Sequence, residues 1–183
     1  MELLKLCNGI VDFAVLGDAP FNPTFLPVLG EMPLRRLSAP LYKLFGGDSS
    51  IDATHCIFSS LTHLDAFDNV VRICDHLPAL PALTHLGLDQ EVLWNVLQTL
   101  LAICARLEVL IVSFPFHDEQ IAWEWVRAAP INDVRFVMGL YNDYADEWEA
   151  GAKGHAHFWS PADNFVARKR RGEIDAQCYW LHI

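Results

Sequence analysis

The sequence predicts an α/β fold made of repeated strand–helix units, with the strands side by side and parallel. Three observations predict it. Leu61-Thr62-His63-Leu64 returns almost unchanged as Leu83-Thr84-His85-Leu86. Each copy extends to an apolar-x-x-apolar-x-apolar triplet that recurs at a near-constant step. The segments between copies carry helical rather than strand spacing. Triplets begin at residues 10, 34, 61, 83, 107 and 131, with steps of 24, 27, 22, 24 and 24. A period of about 20–29 residues with this triplet is that of a leucine-rich-repeat solenoid. Such a fold sets parallel strands on its concave face and helices on its convex face.

Each element follows in order. Ile10, Phe13 and Val15 form a fair first copy, and Asn22-Pro23 supplies an N-cap and a first helical residue. Leu34, Leu37 and Ala39 are the second copy, after which Gly46-Gly47 marks a turn rather than a phosphate loop. Leu61, Leu64 and Ala66 are the third. Asn69 to Leu77 reads as a short helix closed by Pro78 and Pro81. Leu83, Leu86 and Leu88 follow. Gln90 to Arg106 then has apolar residues at 93, 96, 97, 100, 101 and 104, one face of a helix. Leu107, Leu110 and Val112 are the fifth copy. Asp118 to Ala129 is a helix with acidic residues in its first turn. Ile131, Val134 and Phe136 are a weaker sixth copy. Residues 1–140 thus form a solenoid of about six units, and residues 141–183 a C-terminal cap. In the cap, Ser160-Pro161 starts a short helix that runs to Arg171 and stops at Gly172. Arg168-Lys169-Arg170-Arg171 sits at its C-terminal end, where cations suit the helix dipole. A nuclear-localisation or anion-binding role is the alternative for that run. Trp148, Phe158, Trp159 and Phe165 are expected to pack over the open end of the solenoid.

Composition narrows the partners. With 52% hydrophobic and 20% charged residues, the 183-residue chain can bury a core and is not disordered. Its net charge of −10 argues against nucleic acid and anionic membrane surfaces. Residues 1–159 hold 9 basic and 20 acidic side chains, whereas the tail from 160 is slightly basic. Five cysteines without a CxxC pair point to reduced thiols and an intracellular protein, cytoplasmic or nuclear. Glu2, Asn8 and Asp12 interrupt any secretory signal. The most apolar window, Val92 to Phe114, holds Asn95, Gln98, Arg106 and Glu108, so it is a buried helix and strand rather than a membrane span.

The stretches MPLRRLSAPLYKLFGG (32–47), FSSLTHLDAFDNV (58–70), LPALTHLGLD (80–89), LLAICARLEVLIV (100–112) and FVARKRRGEI (165–174) resemble the leucine-rich-repeat region of fungal F-box-like proteins. The resemblance implies a protein-binding role as the substrate-receptor part of a ubiquitin ligase. In that family an F-box binds a Skp-type adaptor and the repeats hold the target. Only nine residues precede Ile10, so the F-box itself is absent here and would have to be supplied elsewhere.

Alternation along a strand sends the residues between the apolar positions to the concave face. One column is Asp12, Arg36, His63, His85, Val109 and Asp133. The next is Ala14, Ser38, Asp65, Gly87, Ile111 and Arg135. The third is Leu16, Pro40, Phe67, Asp89, Ser113 and Val137. Strands about 4.8 Å apart put His63 beside His85. Arg36, His63, Asp65, Phe67, His85 and Asp89 are therefore the expected ligand surface, for a protein or peptide. The alternative is an enzyme or metal-binding protein that uses His63, His85, Asp65 and Asp89. No catalytic residue, cofactor or metal ligand is assigned, because no nucleophile elbow, HExxH, P-loop or dinucleotide motif occurs. His155-Ala156-His157 reads as an exposed loop pair.

Overall fold

A computed structural model describes residues 4, 6–16, 22–47, 51–89, 92–154 and 158–181. It contains an all-parallel sheet of seven strands that lie in chain order. They are β1 (Asp12–Ala14), β2 (Arg36–Ala39), β3 (His63–Ala66), β4 (His85–Asp89), β5 (Val109–Pro115), β6 (Phe136–Tyr141) and β7 (Trp180–Leu181). The register follows the repeated triplet. Leu37, Leu64, Leu86 and Leu110 stand level across four strands, as do Ala39, Ala66, Leu88 and Val112. All of these side chains are buried in one continuous core. Side-chain alternation sends the intervening residues to the second face.

The connections differ in length and so in structure. Asn22 accepts from the Thr24 amide at 3.0 Å and caps a 3₁₀ turn, Pro23–Phe25, that leads into α1 (Leu26–Leu29). A single turn, α2 (Leu41–Leu44), follows β2 and ends before Gly46 and Gly47, both at positive φ. The expected helix after Asn69 is two 3₁₀ turns instead, Val70–Arg72 and Leu77–Ala79. Pro78, in the second turn, and Pro81, just after it, lack a backbone donor, so no helix continues through them. Between β4 and β5, α3 (Trp94–Ile103) buries Leu97, Leu100 and Leu101. Between β5 and β6, α4 (Glu119–Arg127) buries Ala122 and Val126.

The sixth copy is displaced by two residues from the expected alignment. Phe136 and Met138, not Val134 and Phe136, pair with Leu110 and Val112. Arg135 explains the slip. Its guanidinium donates to the carbonyls of Leu101, Cys104 and Leu107, satisfying the end of α3, and pairs with Asp133 at 2.6 Å. Such orphan carbonyls need a donor. Burial works against the Asp133 charge, yet hydrogen bonds and charge from Arg135 hold its carboxyl below the ordinary range. Asp133 and Arg135 are thus loop and capping residues rather than members of a strand column.

The C-terminal segment does more than close an end. α5 (Tyr144–Ala152) is capped by Asp143, which accepts from the amides of Ala145 and Asp146 at 2.8 and 3.1 Å. α6 (Trp159–Arg170) begins one residue before Ser160, and Gly172 follows it at φ +72°. Together with Leu181 of β7, α6 builds a second core on the other side of the sheet. There Phe158, Trp159, Ala162, Phe165 and Val166 meet Val109, Ile111 and Val137. The sheet is therefore covered on both faces over β5 and β6, as parallel sheets generally are. The basic run makes contacts within the fold, although its three arginines stay exposed. Arg168 and Arg171 pair with Glu173, and Arg170 donates to the Glu108 carbonyl. Lys169 is buried, donates to the Phe136 carbonyl at 2.8 Å and lies against the Phe165 and Tyr179 rings. Burial lowers its ammonium to about 8.

Candidate functional site

The second face carries a polar row that the register sets out strand by strand. Asp12, Arg36, His63 and His85 stand level on β1 to β4. Arg36 makes a two-pronged contact with Asp12, at 2.7 and 2.5 Å, which raises its already high pKa. The rings of His63 and His85 stack 4.0 Å apart at 12°. Each histidine is held by the threonine before it in the chain. His63 Nδ1 lies 2.8 Å from Thr62 Oγ1, and His85 Nδ1 lies 2.7 Å from Thr84 Oγ1. The duplicated Thr-His pair thus builds a duplicated local geometry.

The expected ligand surface is not open. Trp159 of α6 sets its ring edge-on against both histidines, at 5.2 and 5.4 Å between centroids. Asp163, one helical turn later, lies 2.8 Å from His85 Nε2. His85 keeps 7% of its surface and Asp65 5%. Asp65 and His85, expected as solvent-facing ligand contacts, are thus interior. The reason is an amphipathic match that the strands alone do not reveal. α5 and α6 present aromatic residues to a sheet face that has apolar residues on β5 and β6.

Asp65 sits at the centre of a buried chain of polar groups. Tyr144 donates its hydroxyl proton to Asp65. Its oxygen is also 2.8 Å from Ser38 Oγ, so the tyrosine hydroxyl links the carboxyl to the serine. Gly87 stands level with Asp65 on the next strand. A Cβ there would overlap Asp65 Oδ1, and the Trp159 ring is 3.5 Å away. Only glycine leaves room for the carboxyl. Burial pushes Asp65 up from an ordinary 3.8 to about 7, against the Tyr144 hydrogen bond and the Arg36 charge. Phe67 packs edge-on against Tyr144, with centroids 5.1 Å apart.

Asp89, at the carboxyl end of β4, is exposed and accepts from the Tyr141 hydroxyl at 3.3 Å. Burial and the Asp89 charge raise Tyr141. The structure therefore gathers His63, Asp65 and His85 under Tyr144 and Trp159, leaves Arg36 beside them paired with Asp12, sets Phe67 at their margin and leaves Asp89 at the strand ends. The four groups of the metal or acid–base alternative do not converge. Among the described residues, no cluster of three or more His, Cys, Asp or Glu could hold a metal ion. The pair His155 and His157 lies outside the described residues.

Recesses open along the carboxyl ends of the strands, where parallel α/β sheets commonly bind ligands, and two of them are the roomiest described. One, of about 690 Å³, lies over the ends of β3, β4 and β5. Leu88 and Phe114 floor it, and Val71, Leu93 and Ile121 line it with exposed apolar surface. Asp68, Asp89 and Asp118 contribute its acidic groups. The other, of about 440 Å³, lies between Leu16, Pro40, Phe67 and the start of α5. The sequence pattern assigns Leu93 and Asp118 to helices and gives Asp68 no role, so none of the three stands out as a ligand contact. Exposed apolar residues beside an aspartate after three successive strands were the signal available. No family model, curated protein or solved structure matches the chain. No helix among the described residues is long and apolar enough to cross a membrane.

Proposed function

We propose that this chain is a leucine-rich-repeat module that binds another protein, as the substrate-receptor part of an F-box-type ubiquitin ligase in the cytoplasm or nucleus. One observation carries the reading. The triplets Leu34/Leu37/Ala39, Leu61/Leu64/Ala66, Leu83/Leu86/Leu88 and Leu107/Leu110/Val112 are all buried, and their second and third members stand level on adjacent parallel strands. Repeats stacked in this way give an extended surface suited to a macromolecular partner. Because α5 and α6 fill the face that carries the histidines, the partner is met along the strand-end edge, where the two recesses open. The ligase part of the reading rests on the family resemblance and requires an F-box to bind the adaptor.

Affinity purification of the endogenous gene product, tagged at its C-terminus, tests both parts. Stoichiometric recovery of a Skp-type adaptor is expected, and its absence refutes the ligase role. A second stoichiometric protein is expected as the bound partner. A product that purifies alone under gentle conditions refutes the binding role.

A further inference from the structure

The larger strand-end cleft has a chemistry of its own. Val71, Leu93 and Ile121 keep 55%, 66% and 49% of their surface although all three are branched aliphatic side chains. They come from three successive connections, after β3, β4 and β5, so their spacing is fixed by the sheet and not by one loop. The cleft they border is large enough for several side chains. Its charged groups are all of one sign: Asp68, Asp89 and Asp118 line it, and no lysine or arginine does among the described residues. Asp68 is the least available of the three. It accepts from the Tyr42 amide and already feels Lys43 and Arg72. Asp89 is exposed at its rim, in contact with Tyr141, and Asp118 lies 3.7 Å from the exposed His117 ring. An acidic occupant would meet repulsion, and a purely polar one would leave the aliphatic wall wet.

We propose that this cleft binds a basic, leucine-rich peptide segment of the partner protein. Apolar side chains of that segment seat among Val71, Leu93 and Ile121, and its Lys or Arg heads pair with Asp89 and Asp118. The inference rests on the protein-binding reading above and names the chemistry of the partner. Charge complementarity selects the occupant and the aliphatic wall supplies the buried area. A long basic side chain suits both demands, since its stem covers apolar surface while its head reaches a carboxylate.

Fluorescence anisotropy with a labelled dodecapeptide of alternating leucine and lysine tests the proposal. A counterpart with glutamate in place of lysine serves as reference. The native protein is expected to bind the lysine peptide at least tenfold tighter than the glutamate one. D89N/D118N is expected to lose about tenfold, and L93S a similar amount. E31Q/E108Q removes the same charge at the amino ends of the strands, away from the cleft, and is expected to lose little. An equal loss in E31Q/E108Q means diffuse charge attraction and overturns the proposal, as does no binding or no preference between peptides. Self-association in sedimentation equilibrium that disappears with L93S would give the cleft to a second copy instead. If affinity purification recovers a partner that D89N/D118N and L93S still bind, the cleft assignment fails while the module reading stands. If no partner is recovered, that reading fails whatever the peptides do.

Discussion

Replacing Asp65 by asparagine should make the protein less sensitive to alkali, and the size of the effect follows from the buried carboxyl. Asp65 lies under Tyr144 beside Gly87, with its carboxyl raised from 3.8 to about 7. The folded chain therefore keeps a proton that the unfolded chain releases near pH 4. Each pH unit between these values costs about 1.4 kcal/mol of stability. Stability from this group is full below the unfolded value, falls as pH rises, and levels off above about 7. Over the whole range the loss is about 4 kcal/mol, of which about 3 kcal/mol falls between pH 5 and pH 8. Asparagine has nearly the same shape, still accepts from Tyr144, and cannot ionise. Urea unfolding of the native protein and Asp65→Asn at pH 5 and pH 8 isolates the effect, because all other titrations are common to both. The variant should gain about 3 kcal/mol on the native protein between the two pH values. A difference that changes by less than about 1 kcal/mol would show that Asp65 is not held as a buried acid.

Two further predictions concern the packing around this face and the slipped repeat. Gly87→Ala should cost about 1–3 kcal/mol in urea unfolding, since its Cβ meets Asp65 with Trp159 close behind. Asp65→Ser in the same chain should restore most of that loss, and strict additivity of the two changes would argue against the contact. Arg135→Met should cost about 3 kcal/mol, because it strands the α3-end carbonyls and leaves Asp133 without its cation. Hydrogen exchange should quicken at the end of α3, and unchanged protection there would contradict the capping role.

The strands were legible because two simple periods coincide in them. Alternation fixes which side chains share a face, and the triplet fixes which residues of neighbouring strands stand level. His63 beside His85, and Arg36 on the other side of His63, follow from those two facts alone, and the ladder places them so. Where the triplet weakens, at Val134 and Phe136, the register could not be read. It was decided by Arg135, whose partners are carbonyls that have no sequence signature. The segment after Asn69 has the apolar spacing of a helix, yet it forms two short 3₁₀ turns with one α-type bond, from the Cys74 amide to the Val70 carbonyl.

By itself, then, the sequence determined the parallel α/β sheet, its strand order and the residues that share each face over the first five strands. These depend on local alternation and on a repeat that pairs each strand with the next. Only the tertiary structure decided what lies on those faces. Trp159, Asp163 and Tyr144 come from a segment about 75–105 residues beyond the residues they cover, and no periodicity links them to His63, His85 or Asp65. Their docking follows from burial of aromatic surface and from filling hydrogen bonds around an interior carboxyl, both of which are properties of the assembled fold. That docking moves the candidate site from the histidine row to the strand ends.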